Sequence, residues 1–160
     1  MRALIILTLT LHSLTALGQK WIGKYHDYFG HEIEFYKDST FKYEYGFDLL
    51  HTWAIGKWTT QKDTIYLNFD DSRVYDTLVR PNRPDSLIES RDEISSRIDE
   101  ELFGMQQLSS GGQSSEGITS RLIKRRGRLY MVDKKGRPIN GRRKGFWSPK
   151  KWPVWYTKER

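Results

Sequence analysis

Between His31 and Phe69 the apolar side chains fall on every second residue. Ile33 and Phe35 flank Glu34 in HEIEFY; Phe41, Tyr43, Tyr45 and Phe47 alternate through TFKYEYGF; and Ile65, Leu67 and Phe69 do so in DTIYLNF. A period of two puts one set of side chains on one face of an extended strand, whereas a helix would scatter the same set around its circumference. Lys37-Asp38-Ser39 and Gln61-Lys62-Asp63 are polar stretches of hairpin length. The segment is therefore expected to be an antiparallel meander with one face on a core and one in water, which the rest of the chain completes. Thr52 to Thr59 breaks the phase, because Trp53 and Ile55 share one parity and Trp58 has the other, with Gly56 between them. A β-bulge at Gly56 is expected to return both tryptophans to one side and to curve the sheet.

What precedes the meander speaks to compartment. Arg2 gives a positive start, Ala3 to Leu11 is an apolar run, and Ala16-Leu17-Gly18 places small residues before Gln19. That pattern reads as a signal peptide over residues 1–18, too short for a stop-transfer helix. The expected location is periplasmic or extracellular. No cysteine follows the apolar run, which argues against a lipid anchor. Residues 19–160 have the length of one domain with a single core. Export favours disulfides in small domains, yet the chain has no cysteine. Cohesion must come from burial, for which 6 Trp, 9 Tyr and 7 Phe supply the surface. No later stretch is apolar enough to span a membrane.

Gly23-x-Tyr25, Asp38-Ser39-Thr40-Phe41 and Gly56-x-Trp58 followed by Asp63-Thr64-Ile65 together resemble small secreted lipocalin-like (calycin-type) proteins of the kind common in the Bacteroidota. The resemblance covers residues 19–80. It implies an up-and-down β-barrel or a strongly curved sheet, and it implies no ligand. Phe35, Phe41, Tyr43, Trp53, Trp58, Ile65 and Leu67 are the candidate inward residues. They either line a pocket for a small apolar or amphipathic ligand or fill the barrel as its core, since a barrel of eight strands can be solid inside.

Val74 to Val79 reads as a sixth strand, stopped by the two prolines of Arg80-Pro81-Asn82-Arg83-Pro84. In residues 85–107, Leu87, Arg91, Ile94, Ile98, Leu102 and Met105 recur at three- to four-residue spacing behind an Asp85 or Ser86 N-cap. This predicts one inserted amphipathic helix, a docked element or a lid. Residues 108–117 (LSSGGQSSEG) have the composition of a flexible linker. Strands resume at Ile118 to Lys124 and Leu129 to Asp133; Asn140-Gly141 is a hairpin signal, and part of the tryptophan-rich tail is expected to close the sheet.

Charge is unevenly spread. Residues 121–160 carry 15 Lys and Arg against 2 Asp and Glu, whereas residues 19–120 carry 11 against 18. Arg125, Arg126, Arg128, Lys134, Lys135, Arg137, Arg142, Arg143 and Lys144 surround two expected turns, and Trp147, Trp152 and Trp155 follow. Such a mixture is either solvated surface or a face for an anionic lipid, lipopolysaccharide or glycan of the cell envelope. Export makes nucleic acid an unexpected partner. His26, His31 and His51 do not share the spacing of a metal site, and no metal or cofactor is expected. There is no nucleophile elbow and no serine with a recognisable base, so the reading is a non-catalytic binding protein rather than an enzyme.

Overall fold

The computed structural model describes residues 20–159, and the expected leader over 1–18 lies outside them. The meander appears where the alternation places it: β1 (Gly23–His26), β2 (His31–Phe35), β3 (Thr40–Phe47), β4 (Leu50–Gln61) and β5 (Thr64–Phe69). An insertion follows with β6 (Tyr75–Leu78), β7 (Ser86–Glu89), β8 (Arg97–Ile98), α1 (Glu100–Gln106) and β9 (Ser110–Gln113). The chain then continues through β10 (Arg121–Arg125), β11 (Arg128–Met131), β12 (Arg142–Lys144), β13 (Lys151–Pro153) and β14 (Tyr156–Lys158).

Strands β1 to β5, β10, β11 and β14 close an eight-stranded antiparallel barrel in meander order. The tail strand β14 pairs with β1 on one side and β11 on the other, so it closes the barrel as expected. Inside, Trp21, Tyr25, Ile33, Phe35, Phe41, Tyr43, Ala54, Trp58, Ile65, Leu67, Leu122, Leu129 and Tyr156 form one buried cluster. Among the described residues, one end of the barrel carries the three short turns β2–β3, β4–β5 and β10–β11 together with the start of β1 and the end of β14. The other end carries the β1–β2 and β3–β4 turns, the 70–120 insertion and the 132–155 excursion with the β12–β13 hairpin.

Four sequence expectations are corrected. Strand β4 has no bulge: its register with β3 runs unbroken from Thr40↔Lys57 to Phe47↔Leu50, and that with β5 from Gly56↔Phe69 to Gln61↔Thr64. Gly56 instead permits close approach, since a Cβ there would lie 2.1 Å from the Asn68 carbonyl oxygen and 2.9 Å from the Phe41 ring.

The sixth strand exists, but β6 leaves the barrel to pair with β7 and β8 in a separate small sheet. Strands β7 and β8 and the irregular segment between them replace the first part of the predicted 85–107 helix, and only Glu100–Gln106 is helical, capped by Asp99, whose carboxylate accepts from the Leu102 amide at 2.8 Å. The buried Asp76 carboxylate accepts from both the Ser96 amide and the Ser96 hydroxyl, and the Ser90 hydroxyl accepts from the Asp92 amide. Serine and aspartate that bind backbone in this way compete with the helical ladder, and the helical spacing of Leu87 and Ile94 was fortuitous: both are exposed.

The expected 108–117 linker contains β9, which pairs in parallel with the first half of β4 on the side that β5 has left. Gly111 has φ +112° and a Cβ would lie 1.8 Å from the His51 carbonyl oxygen, so the glycine serves pairing rather than flexibility. Finally, Asn140-Gly141 is not a hairpin turn; β12 and β13 are joined across residues 145–150, with the Gly145 amide donating to the Lys150 carbonyl at 3.1 Å.

Candidate functional site

Six of the seven candidate pocket residues, Phe35, Phe41, Tyr43, Trp58, Ile65 and Leu67, belong to the buried cluster. Their rings pack on each other: Phe35 meets Tyr25 at 5.8 Å, Trp58 at 5.5 Å and Phe41 at 6.4 Å, and Phe41 meets Phe69 at 5.3 Å. Three of these four contacts are edge-to-face and the fourth is tilted, the geometry of rings that occupy the interior themselves. The seventh, Trp53, does not point inward. With β4 in unbroken register it stands on the outer face of the wall, 1 % exposed, and its Nε1 donates to the Arg91 carbonyl at 2.7 Å. The odd-parity pair Trp53 and Ile55 thus signalled a covered outer face, not a bulge.

The cover is the segment 90–96, a strap laid across β3 and β4. Besides the Trp53 bond it is held by Lys42, whose ammonium lies 2.8 Å from Glu93 and 3.1 Å from Glu44, and by Arg91, which donates to the Gly111 carbonyl at 2.6 Å. Burial alone would lower the Lys42 pKa, but the hydrogen bonds its ammonium donates to Glu93 and Glu44, with the attraction of their charges, outweigh it and hold it above the ordinary value. Beside the strap opens a cleft of about 610 Å³ lined by Tyr36, Phe41, Lys42, Ile55, Lys57, Asn68, Phe69, Asp70, Asp71 and Glu93. A second cleft of about 410 Å³ is lined by Lys42, Glu44, His51, Trp53, Glu93 and Ile94. The Lys42–Glu93 ion pair borders both. The larger cleft combines an apolar wall (Tyr36, Ile55, Phe69) with two lysines and three carboxylates. Ile55 and Lys57 have the parity of β4 opposite to inward Trp58, and Glu93 comes from the strap, so none of the three belongs to the inward set; the outward apolar Ile55 is their signal in the sequence.

The cationic candidates divide between the two ends of the barrel. Arg125, Arg126 and Arg128 lie at the β10–β11 hairpin, where the Arg128 guanidinium stands 5.0 Å from the Trp155 ring. Lys134 and Lys135 occupy a turn organised by Asp133, which accepts from the Lys135 and Arg137 amides and pairs with the Arg137 side chain. Arg142, Arg143 and Lys144 form β12, at the other end from the β10–β11 hairpin. The β12–β13 hairpin is seated on the β1–β2 turn: Trp152 stacks on Tyr28 at 3.9 Å and 8°, and Phe146 meets Phe29 at 5.8 Å and Phe47 at 4.1 Å.

That end of the barrel also holds a polar cluster. The Asp27 carboxylate accepts from the Phe29 and His31 amides, and His31 Nδ1 lies 2.5 Å from the Tyr43 hydroxyl. Burial raises the Asp27 pKa, opposed by His31, and burial lowers that of His31, with Arg143 adding to the effect and Asp27 opposing it. Burial drives the Tyr43 and Tyr156 hydroxyls well above the usual phenol range. Among the described residues no three His, Asp or Glu side chains converge as metal ligands, and no helix is long and apolar enough to cross a membrane. No family model matches the chain, no curated protein matches it, and no solved structure matches it.

Proposed function

We propose that this is an exported, non-catalytic binding protein of lipocalin-like type whose ligand seat is the cleft beside the strap, not the bore of the barrel. The observation that carries the reading is the cleft itself. At about 610 Å³ it falls within the volume range of small-molecule sites. Its apolar wall suits the hydrocarbon or ring of an amphipathic ligand, and Lys57, Asn68 and Asp70 at its edge suit a polar head. Export rests on the N-terminal pattern Arg2 to Gly18 and is checked by the N-terminus of the mature product, expected at Gln19.

The ligand reading is tested by titrating the amphipathic dye 1-anilinonaphthalene-8-sulfonate and by native mass spectrometry of protein taken from its own source. Saturable one-to-one dye binding that Ile55→Asp weakens about tenfold or more is expected, about 1.4 kcal/mol. A retained small molecule in the wild type that Ile55→Asp lacks is the matching mass-spectrometric result. Dye binding indifferent to Ile55→Asp would overturn the assignment of the cleft.

A second reading, docking of the protein on an anionic envelope surface, is favoured by the β12–β13 hairpin. Its exposed cations stand at the end of the barrel that carries every long connection.

A further inference from the structure

We propose that the β12–β13 hairpin is a bilayer anchor: Trp147 at its tip enters the interfacial layer of an anionic lipid membrane while the cations of its strands meet the headgroup phosphates. The inference rests on the second reading above and names its surface. Trp147 is 92 % exposed and its neighbour Phe146 49 %, so two large rings meet water side by side at one tip, and covering them would be favourable. The tip is not loose. Phe146 is wedged against Phe29 and Phe47, Trp152 is stacked on Tyr28, and the Gly145 amide closes the turn on Lys150, so the next residue, Trp147, is carried outward on a fixed base.

Charge complementarity identifies the occupant. Arg142, Arg143, Lys144, Lys150 and Lys151 are exposed, and among the described residues none of them forms an ion pair. No acidic residue occurs between Lys134 and Lys158. The β3–β4 turn beside Phe47 adds a second apolar side chain, Leu49, 62 % exposed. An exposed tryptophan flanked by basic residues matches the two layers of an anionic membrane surface, acyl–headgroup boundary and phosphates. Each signal alone binds weakly; paired, they suffice for reversible anchoring. A sugar ring of an acidic polysaccharide can stack on the indole, but it would leave the exposed aliphatic Leu49 of the adjoining β3–β4 turn in water, whereas a bilayer takes up both side chains, which is why a bilayer is the favoured partner.

The test uses vesicles of phosphatidylcholine with about one-third phosphatidylglycerol, and vesicles of phosphatidylcholine alone. Since the chain has no cysteine, Ser148→Cys carrying a nitrobenzoxadiazole dye reports on the tip alone. Expected are co-sedimentation with the anionic vesicles, a blue shift of the dye, and loss of binding about tenfold or more as salt is raised toward 1 M. Trp147→Ser should lower the vesicle affinity about tenfold with an unchanged melting temperature, because the ring takes no part in the core. The double change Arg142→Glu with Arg143→Glu should abolish binding. Co-sedimentation with no dye shift would overturn insertion while leaving surface docking intact. Binding to alginate but not to vesicles would overturn the lipid partner and again leave the docking reading. Binding to neither would sink both.

Discussion

Trp53 and Trp58 stand five residues apart on β4 and face opposite sides of the barrel wall. Trp58 meets Phe35 edge-on at 5.5 Å in the interior, while Trp53 lies outside and donates Nε1 to the Arg91 carbonyl at 2.7 Å. The two tryptophans therefore report on different parts of the molecule. Trp53→Phe keeps a ring under the strap but removes the bond to Arg91, at a cost of about 1 kcal/mol. Native-state hydrogen exchange should quicken in residues 90–96 and stay slow in the barrel strands. Trp58→Ala, by contrast, opens a cavity in the core and should cost about 3–5 kcal/mol, lowering protection across the whole barrel.

Strand β9 depends on Gly111. With φ at +112° and the His51 carbonyl oxygen 1.8 Å from where a Cβ would sit, Gly111→Ala meets both backbone strain, about 1–3 kcal/mol, and a direct clash. Gly141→Ala, where nothing lies within 4 Å of an added Cβ and φ is not in the left-handed region, is the control. Urea denaturation should show a marked fall in midpoint for the first and a small change for the second.

The insertion has its own keystone in Asp76, buried and accepting from both the amide and the hydroxyl of Ser96. Asp76→Ala leaves that amide without its partner and should cost about 1–3 kcal/mol. Proteolysis under native conditions should then cut within 90–98 before it touches the barrel.

His31 ties stability to pH. Burial holds its folded pKa below the ordinary 6.5, so as pH falls the unfolded chain takes up this proton before the folded one does. The stability it contributes is present above about pH 6.5 and declines as pH falls from there through the lower folded value. Asp27 works in the opposite sense: with its folded pKa raised above 3.8, its protonation favours the folded state toward acid. The His31 effect is isolated by comparing wild type with His31→Gln, whose stability should lack the loss that begins near pH 6.5. Parallel melting curves for the two proteins from pH 7.5 to 5.5 would refute it.

The strand positions and the inward face were legible because both are local properties. In Ile33, Phe35, Phe41, Tyr43, Ile65 and Leu67 the alternation sorts core from solvent whatever the strand pairs with. The same period misled at β4, where an outward Trp53 and Ile55 looked like a slipped phase. A different period, three to four residues, misled from Leu87 to Ile98, which form β7, the strap and β8, and held only for Leu102 and Met105 in α1. In each place the deciding contact is remote in sequence: Trp53 with Arg91, Asp76 with Ser96, Gly111 with His51. The cationic residues show the same limit. Their number could be read directly, but Arg125 to Arg128 and Arg142 to Lys144 lie at opposite ends of the barrel because β11 separates them.

By itself the amino-acid order determined a cysteine-free β-domain with an aromatic interior, because periodicity and side-chain size act within a few residues of each other. Only the tertiary structure decided that the interior is packed, that a strap covers the outer wall and leaves a cleft beside it, and that one tryptophan stands bare at a cationic tip. Those outcomes depend on which distant groups meet to satisfy buried amides and exclude water, and no local pattern specifies that.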